Sequence, residues 1–329
     1  MTDSVRIAQI GCGHWGKNLA RNFAELGALA AIADDHPETA ARIAGEHKVP
    51  ARSFADILAD PAIAGISLAT PAAMHGRMAL EALAAGKHVF IEKPLALDPA
   101  EAETVVEAAE RAGLVLMVGH LLQYHPQFIA LLRLVRERAV GAVRYIYSNR
   151  LSLGKFRTEE NVLWSFAPHD LSMTLALTGE QPDRVSAEGA AMLDGSIADW
   201  CICHLSFPSG VRAHIHSSWL HPFKEQRLVV VGDEGMIVFE DSALDWERRL
   251  VLYPHKVDRS GGAPAPIKGE AQFVPVERGE PLRAECRQFL RSAATGERPP
   301  TDGREGLAVL KVLDRAEQAL RLSLSEGAQ

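Results

Sequence analysis

Apolar and polar positions alternate along the chain in two different rhythms. Up to about residue 120, short apolar runs are separated by stretches in which apolar residues recur every three or four positions. In the first of those stretches Leu19, Phe23 and Leu26 form one apolar stripe along a helix. Strands that alternate with helices in this way predict a parallel sheet with right-handed crossovers. The apolar runs are VRIAQIG, LAAIAD, GISLAT, HVFIEKP and LVLMVGH.

Beyond Val143 the rhythm changes to longer strands, such as VRYIYSNRLSL, WCICHLSF and VRAHIHSSWL, with turn pairs such as Ser209-Gly210 between them. This pattern predicts a mostly antiparallel sheet with a few helices on one face. We therefore expect an α/β Rossmann dinucleotide-binding domain at residues 1–120. It should be followed at residues 121–329 by an α+β domain with a large open, mostly antiparallel sheet, whose C-terminal helix could pack back on the first domain.

Composition narrows the class of protein. The chain has 329 residues, 47% of them hydrophobic, and its net charge of -7 argues against a nucleic-acid-binding protein. Its four cysteines form no CxxC pair or disulfide framework, and MTDSVRIAQIG lacks the pattern of a signal peptide, so a cytoplasmic location is expected. No apolar segment approaches the ~20 residues of a membrane span, so no membrane partner is expected.

The turn Gly11-x-Gly13-x-x-Gly16 follows a strand and opens a helix. Glycines there allow a tight turn and the close approach of a pyrophosphate, which the helix N-terminus attracts. Asp34 ends the next strand, where a carboxylate accepts from a ribose 2′-OH and repels a 2′-phosphate, so NAD is favoured over NADP. The alternative is a turn that only packs helix on strand. The expected cofactor contacts are Gly11, Cys12, Gly13, His14, Trp15, Gly16 and Asp34.

Two further segments reach the same edge of the predicted sheet, where ligands of such folds bind. Thr70 and Pro71 should border the dinucleotide, while His75 either faces the same crevice or lies on a helix surface. In VFIEKPL, Glu92 and Lys93 also follow a strand. Such neighbours are usually a solvated ion pair. A partly buried lysine beside the nicotinamide, however, could polarise a substrate oxygen and pass a proton. Glu92 would then neighbour the nicotinamide ribose or Lys93, and both residues join the expected cofactor contacts.

Together GCGHWG, Asp34, TPAAMH, EKP and a downstream PHD resemble the glucose–fructose oxidoreductase/inositol dehydrogenase family (Gfo/Idh/MocA) over essentially the whole chain. The resemblance implies an NAD-dependent oxidoreductase in which Lys93 and His169 are catalytic. We expect His169 to take the hydroxyl proton from across a cleft while Lys93 holds the oxygen, although the reverse sharing stays open. Two positions depart from the family's pattern: Ser165 stands where an Asp is common, and Gln123 where many relatives have Arg.

The segment before His169 is cationic and edged by an aromatic residue, which suits a phosphate or carboxylate plus a sugar face. A solvated basic strand edge is the alternative. The segment resembles the branch of the family that acts on nucleotide sugars, which implies oxidation at C3 of a UDP-linked N-acetylhexosamine or its uronate. A free monosaccharide or inositol-type polyol is the alternative substrate, and an NAD(H)-sensing protein the alternative outside the enzymes. The expected substrate contacts are Lys93, Gln123, Arg150, Lys155, Arg157, Asn161, Trp164, His169 and Asp170.

Two remaining patterns concern metals and oligomers. The pairs Cys201/Cys203 and His214/His216 alternate along strands and lack the ligand spacing of a structural zinc site, so no metal is expected. The open sheet of the second domain needs its outer face covered. The family resemblance implies a homodimer or homotetramer formed through that sheet.

Overall fold

The computed structural model describes residues 5–154, 156–193 and 195–326, and the chain divides into two compact units. The first unit comprises the described residues up to Tyr124 together with Glu280–Leu310. The second comprises His125–Gly279 and the described residues from Lys311 onwards. The sequence predicts a boundary near residue 120 and allows the C-terminal helix to pack back on the first domain. In the structure the segment Glu280–Leu310, which includes the start of that helix, belongs to the first unit.

The first unit is an α/β Rossmann fold, which confirms the predicted class. Its sheet is wholly parallel, in the order β2-β1-β3-β4-β5. Almost every strand residue is buried, as expected for apolar runs covered on both faces. The strands are β1 (Ile7–Ile10), β2 (Leu29–Ala33), β3 (Gly65–Leu68), β4 (His88–Ile91) and β5 (Leu116–Val118). The helices between them are α1 (Gly16–Glu25), α2 (Pro37–His47), α3 (Phe54–Ala59), α4 (His75–Ala84) and α5 (Pro99–Ala112), with 3-10 turns at Ala72–Met74 and Leu121–Tyr124.

The second unit contains the predicted large, mostly antiparallel sheet. It begins with α6 (Pro126–Arg136), β6 (Val143–Leu153) and α7 (Val162–Thr178). The remaining strands are β7 (Arg184–Ala190), β8 (Trp200–Ser206), β9 (Arg212–Ser218), β10 (Leu220–Gly232), β11 (Met236–Glu240), β12 (Leu250–Tyr253), β13 (Lys256–Asp258), β14 (Ala265–Ile267) and β15 (Gln272–Phe273), with a 3-10 turn at Trp246–Arg248. Eight strands pair in the order β15-β12-β11-β10-β6-β9-β8-β7, and only β6 and β9 run parallel. Helix α7 packs on β6, β8 and β9.

Two helices complete the chain, α8 (Pro281–Thr295) and α9 (Gly303–Glu326), and the division between the units falls within α9. Helix α8 packs on α1 and on the 3-10 turn before Tyr124. It adds Phe289 to the first unit's core, where the ring meets Phe23 and Phe90 edge-on at centroid distances of 6.3 and 5.8 Å. No described helix combines the length and the apolar character that crossing a bilayer requires.

Candidate active site

The three glycines of the turn between β1 and α1 differ in what surrounds them. Gly11 has φ +79°, and a Cβ there would lie 2.6 Å from the Ala69 carbonyl oxygen. A Cβ on Gly16 would collide with the Gly11 carbonyl oxygen. Around Gly13, by contrast, a Cβ would meet no described atom within 4 Å. The packing therefore explains Gly11 and Gly16, while Gly13 leaves room at the N-terminus of α1, where a phosphate would bind.

Asp34 links this turn to the end of β2. Its Oδ2 accepts the Cys12 backbone N–H at 2.6 Å, and its Oδ1 accepts the His36 N–H at 2.9 Å. The carboxylate is only half-buried, and an ionised carboxylate has about four lone-pair sites, so it can still accept from a ligand hydroxyl. Burial, together with the negative charge of Asp34, raises the pKa of the Cys12 thiol to about 12, so that thiol stays protonated.

A cavity of about 540 Å³ lies beside the turn, within the size range of ligand pockets. It brings together five predicted cofactor contacts, Gly11, Gly13, Asp34, Thr70 and Pro71. The Thr70 Oγ1 is buried and has no hydrogen-bond partner among the described residues, so it is available to a bound molecule. The other lining residues are Ile10, Ala33, Asp35, His36, Thr39, Arg52, Ser53, Phe54, Ala69, Met74, Arg77 and Met78.

One side of this cavity, which includes two arginines, was not predicted from the sequence. Arg52 pairs with Asp60 at 2.5 Å, and Arg77 pairs with Glu81 at 2.8 Å. Arg52 is brought to the edge of the sheet by a single parallel bridge between its neighbour Ala51 and Ile32. One bridge gives no strand pattern in the sequence, so little in the sequence predicts the position of Arg52. Arg77 lies in the first turn of α4, after the predicted Thr70 and Pro71, so its position could have been inferred.

His75 lies in neither of the two places that the sequence left open. It is 1% exposed, with Nδ1 2.8 Å from the Pro94 carbonyl oxygen and Nε2 2.9 Å from the Thr70 carbonyl oxygen. Burial lowers the pKa of His75, although its two backbone partners act in the opposite direction. Both ring nitrogens of His75 thus face carbonyl oxygens of the protein, and its contact with a cofactor stays a prediction.

Glu92 and Lys93 follow β4, both are partly buried, and the Lys93–Pro94 bond is cis. The Glu92 carboxylate accepts from the indole Nε1 of Trp15 on the glycine turn. It also lies against Gly119, where a Cβ would come within 2.9 Å of Oε2. Burial raises the pKa of Glu92 to about 7, while the indole bond, Lys93 and His120 act to lower it. Glu92 therefore joins the end of β4 to the glycine turn, which a solvated surface pair would not do.

Two residues that follow β5 lie in the same unit. His120, which the sequence reading missed, is buried with Nδ1 2.6 Å from Oε2 of Glu305. Gln123, a predicted substrate contact, is 8% exposed within the 3-10 turn Leu121–Tyr124. His14 remains exposed on the glycine turn beside Trp15.

In the second unit, His169 and Asp170 are consecutive residues of α7, so their side chains point in different directions. Ser165 and His169 stand four residues apart and so share a face of the helix. Asp170 is 1% exposed and accepts from Ser148 at 2.5 Å. Its two oxygens also bind the Arg150 guanidinium, at 2.5 Å to Nε and 3.2 Å to Nη2. The predicted substrate contacts Arg150 and Asp170 are therefore a buried pair that joins β6 to α7.

The other predicted substrate contacts differ in their surroundings. Asn161 begins α7 by accepting the Trp164 N–H at 3.2 Å, and its amide donates to Glu317 at 2.7 Å. The Trp164 indole donates to the same Glu317 oxygen at 3.1 Å, so both side chains are held by an acid that the sequence reading missed. Arg157 is partly exposed, 3.9 Å from Glu160. Lys155 lies outside the described residues.

Several histidines and cysteines lie on the strands of the second unit. Within the described part of the chain, no group of three or more His, Cys, Asp and Glu side chains is arranged to hold a metal ion. Cys201 and Cys203 are buried on the same face of β8. Burial raises the pKa of both thiols, so both remain protonated.

Two family models match most of the chain. The model described as an oxidoreductase family with an NAD-binding Rossmann fold matches residues 5–120. The model described as the GFO/IDH/MocA C-terminal domain matches residues 128–238. The matches follow the two sheets in order along the chain.

Individual relatives agree with these matches over nearly the full length. UDP-N-acetylglucosamine 3-dehydrogenase from Acidithiobacillus ferrooxidans is 30% identical over 93% of this chain and 94% of its own. Its structure superposes with a TM-score of 0.85, covering 97% of this chain and 98% of its own. An oxidoreductase from Magnetospirillum magnetotacticum is 33% identical, with a TM-score of 0.83 over 95% and 99% of the two chains. Inositol 2-dehydrogenase from Rhizobium meliloti is 24% identical over 95% and 96%.

Proposed function

Because the chain belongs to the Gfo/Idh/MocA family of oxidoreductases, we propose that it is an NAD-dependent dehydrogenase acting on a secondary hydroxyl of a sugar. We further propose that this hydroxyl is C3 of a UDP-linked N-acetylhexosamine or its uronate. The observation that carries the activity is the glycine turn with Asp34 beside a cavity of about 540 Å³. The substrate rests on similarity to the UDP-N-acetylglucosamine 3-dehydrogenase over 93% of the chain.

The residues around the cavity fit a dinucleotide. The space at Gly13 and the N-terminus of α1 would hold the pyrophosphate. Asp34 would accept from the adenosine ribose, and its charge would disfavour a 2′-phosphate. The buried Thr70 hydroxyl supplies a further polar contact. NAD bound there would supply the hydride acceptor.

Lys93 and His169 are the proposed catalytic residues. Oxidation of an alcohol removes a proton from the oxygen and a hydride from the carbon. The neutral imidazole of His169 would accept that proton, and the Lys93 ammonium would stabilise the negative charge that develops on the oxygen. Ser165, on the same helix face as His169, would orient the ring in place of the family's usual Asp.

An inositol-type polyol is the second candidate substrate. Inositol 2-dehydrogenase from Rhizobium meliloti matches 95% of the chain. In addition, Arg150 is neutralised by Asp170, so it offers less to a substrate phosphate than an unpaired arginine would.

The experiment is NADH formation at 340 nm with UDP-N-acetylglucosamine, its uronate, N-acetylglucosamine and myo-inositol. We expect turnover with a UDP-sugar, lost in Lys93→Met and His169→Asn, while both variants still bind NAD. Activity confined to unphosphorylated polyols would overturn the substrate. Near-normal turnover in both variants would overturn the catalytic roles, and NAD binding without turnover of any sugar would indicate an NAD(H)-sensing protein.

We also propose that a second copy of the chain covers the face of the large sheet opposite α7. Ser148 contacts α7, so its neighbour Tyr147 lies on the other face. There the Tyr147 ring stacks on His214 at 5.5 Å and 15°, and both are only half-buried. Light scattering after gel filtration should give a dimer or tetramer that Tyr147→Glu dissociates and the surface control Arg111→Glu does not. A wild-type monomer would contradict this.

A further inference from the structure

The end of β3 and the end of β4 are joined by one buried side chain. His75, the first residue of α4, places one ring nitrogen 2.9 Å from the Thr70 carbonyl oxygen and the other 2.8 Å from the Pro94 carbonyl oxygen. The ring is 1% exposed, so water cannot readily replace either partner. A neutral imidazole donates to one of these two carbonyl oxygens, and an imidazolium donates to both. In either state the buried ring fills the space between the two loops and so fixes their spacing.

One of the two turns borders the proposed cofactor cavity, and the other adjoins the proposed catalytic Lys93. The Thr70–Pro71 turn lines the cavity, and the position of Thr70 also bears on Gly11, whose Cβ would lie 3.1 Å from the Thr70 nitrogen. Pro94 directly follows Lys93. A displacement of Thr70 would therefore reach Lys93 through the imidazole and a single intervening residue.

We propose that His75 is a positioning residue that couples occupation of the nucleotide cavity to the placement of Lys93. The coupling to NAD and its consequence for turnover rest on the proposed function, because they need a bound cofactor and act through Lys93. The positioning of Lys93 does not, since the Thr70–His75–Pro94 contacts lie entirely within the first unit. Nothing in the role requires the ring to touch a ligand.

The first unit offers a matched control in His88, at the start of β4. It is also partly buried, and its Nδ1 accepts the Val115 backbone N–H at 3.0 Å. Burial lowers the pKa of His88, as it does for His75. It lies at the opposite end of the same strand from Lys93, so its loss removes a comparable hydrogen bond without touching either turn.

The test is the rate at which Lys93 is acetylated by a low concentration of acetic anhydride, measured by mass spectrometry against the exposed Lys17 of the same chain. Without ligand, His75→Leu should raise the relative rate at Lys93 several-fold, His75→Gln should give an intermediate rate, and His88→Leu should leave it unchanged. Saturating NAD should change the wild-type rate by about fivefold or more, the lower end of typical coupling between sites. The part of that response carried by His75 should be lost in His75→Leu, so NAD should change the rate by a smaller factor than in the wild type.

Thermal melting shows which variants are folded, and His75→Gln, which keeps an amide donor, serves if the leucine variant is not. Equal ligand-free rates in wild type, His75→Leu and His75→Gln would overturn the proposal. If NAD binds no form of the protein, the proposed function fails, and the ligand-free rates still decide whether His75 positions Lys93. A loss of kcat in His75→Gln that exceeds the change in KM would extend the coupling to turnover.

Discussion

Asp34 is the residue that should set the choice between the two nicotinamide cofactors. Asp34→Ser removes the charge that would repel a 2′-phosphate, while Arg52 and Arg77 remain in the same cavity. NAD should bind more weakly, because the variant also loses acceptors for the Cys12 and His36 N–H groups. The ratio of kcat/KM for NADP over NAD should rise about tenfold or more, which corresponds to about 1.4 kcal/mol. Asp35→Ser removes an equal charge from the exposed neighbour that also lines the cavity, and should change the ratio less. An unchanged ratio in Asp34→Ser would remove Asp34 from this role.

The buried carboxyl group of Glu285 should make the free energy of unfolding depend on pH. It is 0% exposed, neither carboxyl oxygen has a hydrogen-bond partner among the described residues, and burial, together with the charge of Glu92, raises its pKa well above the ordinary value. The folded chain thus holds this proton more tightly than the unfolded chain does. Its contribution to stability is therefore fully present below the ordinary glutamate pKa of about 4.3 and is lost as pH rises towards the raised pKa.

Glu285→Gln, which carries no titrating proton, should therefore exceed the stability of the wild type only slightly near pH 5 and by much more at pH 8. We expect a gain of about 2 kcal/mol or more in the free energy of unfolding at pH 8, since one pKa unit corresponds to about 1.4 kcal/mol. Urea unfolding at both pH values measures it. A gain of equal size at pH 5 would show that packing, and not the proton, is responsible.

At this scale the sequence predicts residues whose role follows from a local motif. Gly13, Asp34 and Thr70 are required by a turn and two strand ends, and the structure brings them to one cavity. The partners of His75 and Asp170 could not be predicted in the same way. Each depends on a segment far along the chain, Pro94 in one case and Ser148 with Arg150 in the other, and a motif does not encode which loops meet.

At the scale of elements, one glycine of the turn is required for packing and another for cofactor binding. Gly16→Ala drives a Cβ into the Gly11 carbonyl oxygen, whereas Gly13→Ala meets no described atom within 4 Å. Gly16→Ala should therefore lower the free energy of unfolding by about 1–3 kcal/mol, the usual cost of overpacking. Gly13→Ala should leave stability unchanged and weaken NAD binding, because its Cβ fills the space left for the pyrophosphate. Melting temperatures and NADH fluorescence titration test the pair, and equal losses of stability would contradict this division.

Most elements were predictable because their periodicities are clear. The apolar runs of the first unit became buried parallel strands, and Asp98-Pro99 begins α5 with its carboxylate accepting the Ala100 N–H at 2.9 Å. The helical spacing of Leu282, Cys286 and Phe289 makes α8 predictable as a helix as well. Its partners were not, since an apolar stripe shows that a helix packs on something without showing on what.

At the scale of the whole molecule, this uncertainty about α8 explains why a single boundary near residue 120 did not describe the two units. The segment Glu280–Leu310 returns to the first unit through several independent contacts. The Val118 N–H donates to the Thr301 carbonyl oxygen at 2.8 Å, and the Tyr124 hydroxyl lies 2.9 Å from the Thr301 hydroxyl. Long-range pairing of this kind leaves no periodic signal in the sequence.

The first unit should therefore fold only when its returning segment is present. A fragment that ends at Tyr124 lacks Phe289, Leu282 and Cys286, which are 0%, 6% and 0% exposed, and so uncovers Phe23 and Phe90. Each large apolar side chain that loses its burial forfeits about 1.5–3 kcal/mol, against a total stability of about 5–15 kcal/mol. We expect this fragment to bind a hydrophobic dye and to unfold without cooperativity.

The same fragment joined by a short glycine–serine linker to Glu280–Leu310 should unfold cooperatively in urea. The ends are close enough to join, because a Cβ at Gly279 would lie 3.1 Å from Cγ of Pro126. Phe289→Ala in the joined fragment should cost about 3–5 kcal/mol, since it opens a cavity between two other phenylalanines. The fragment that ends at Tyr124 could instead unfold cooperatively at the same urea concentration as the joined one. That result would mean that the first unit folds without the returning segment.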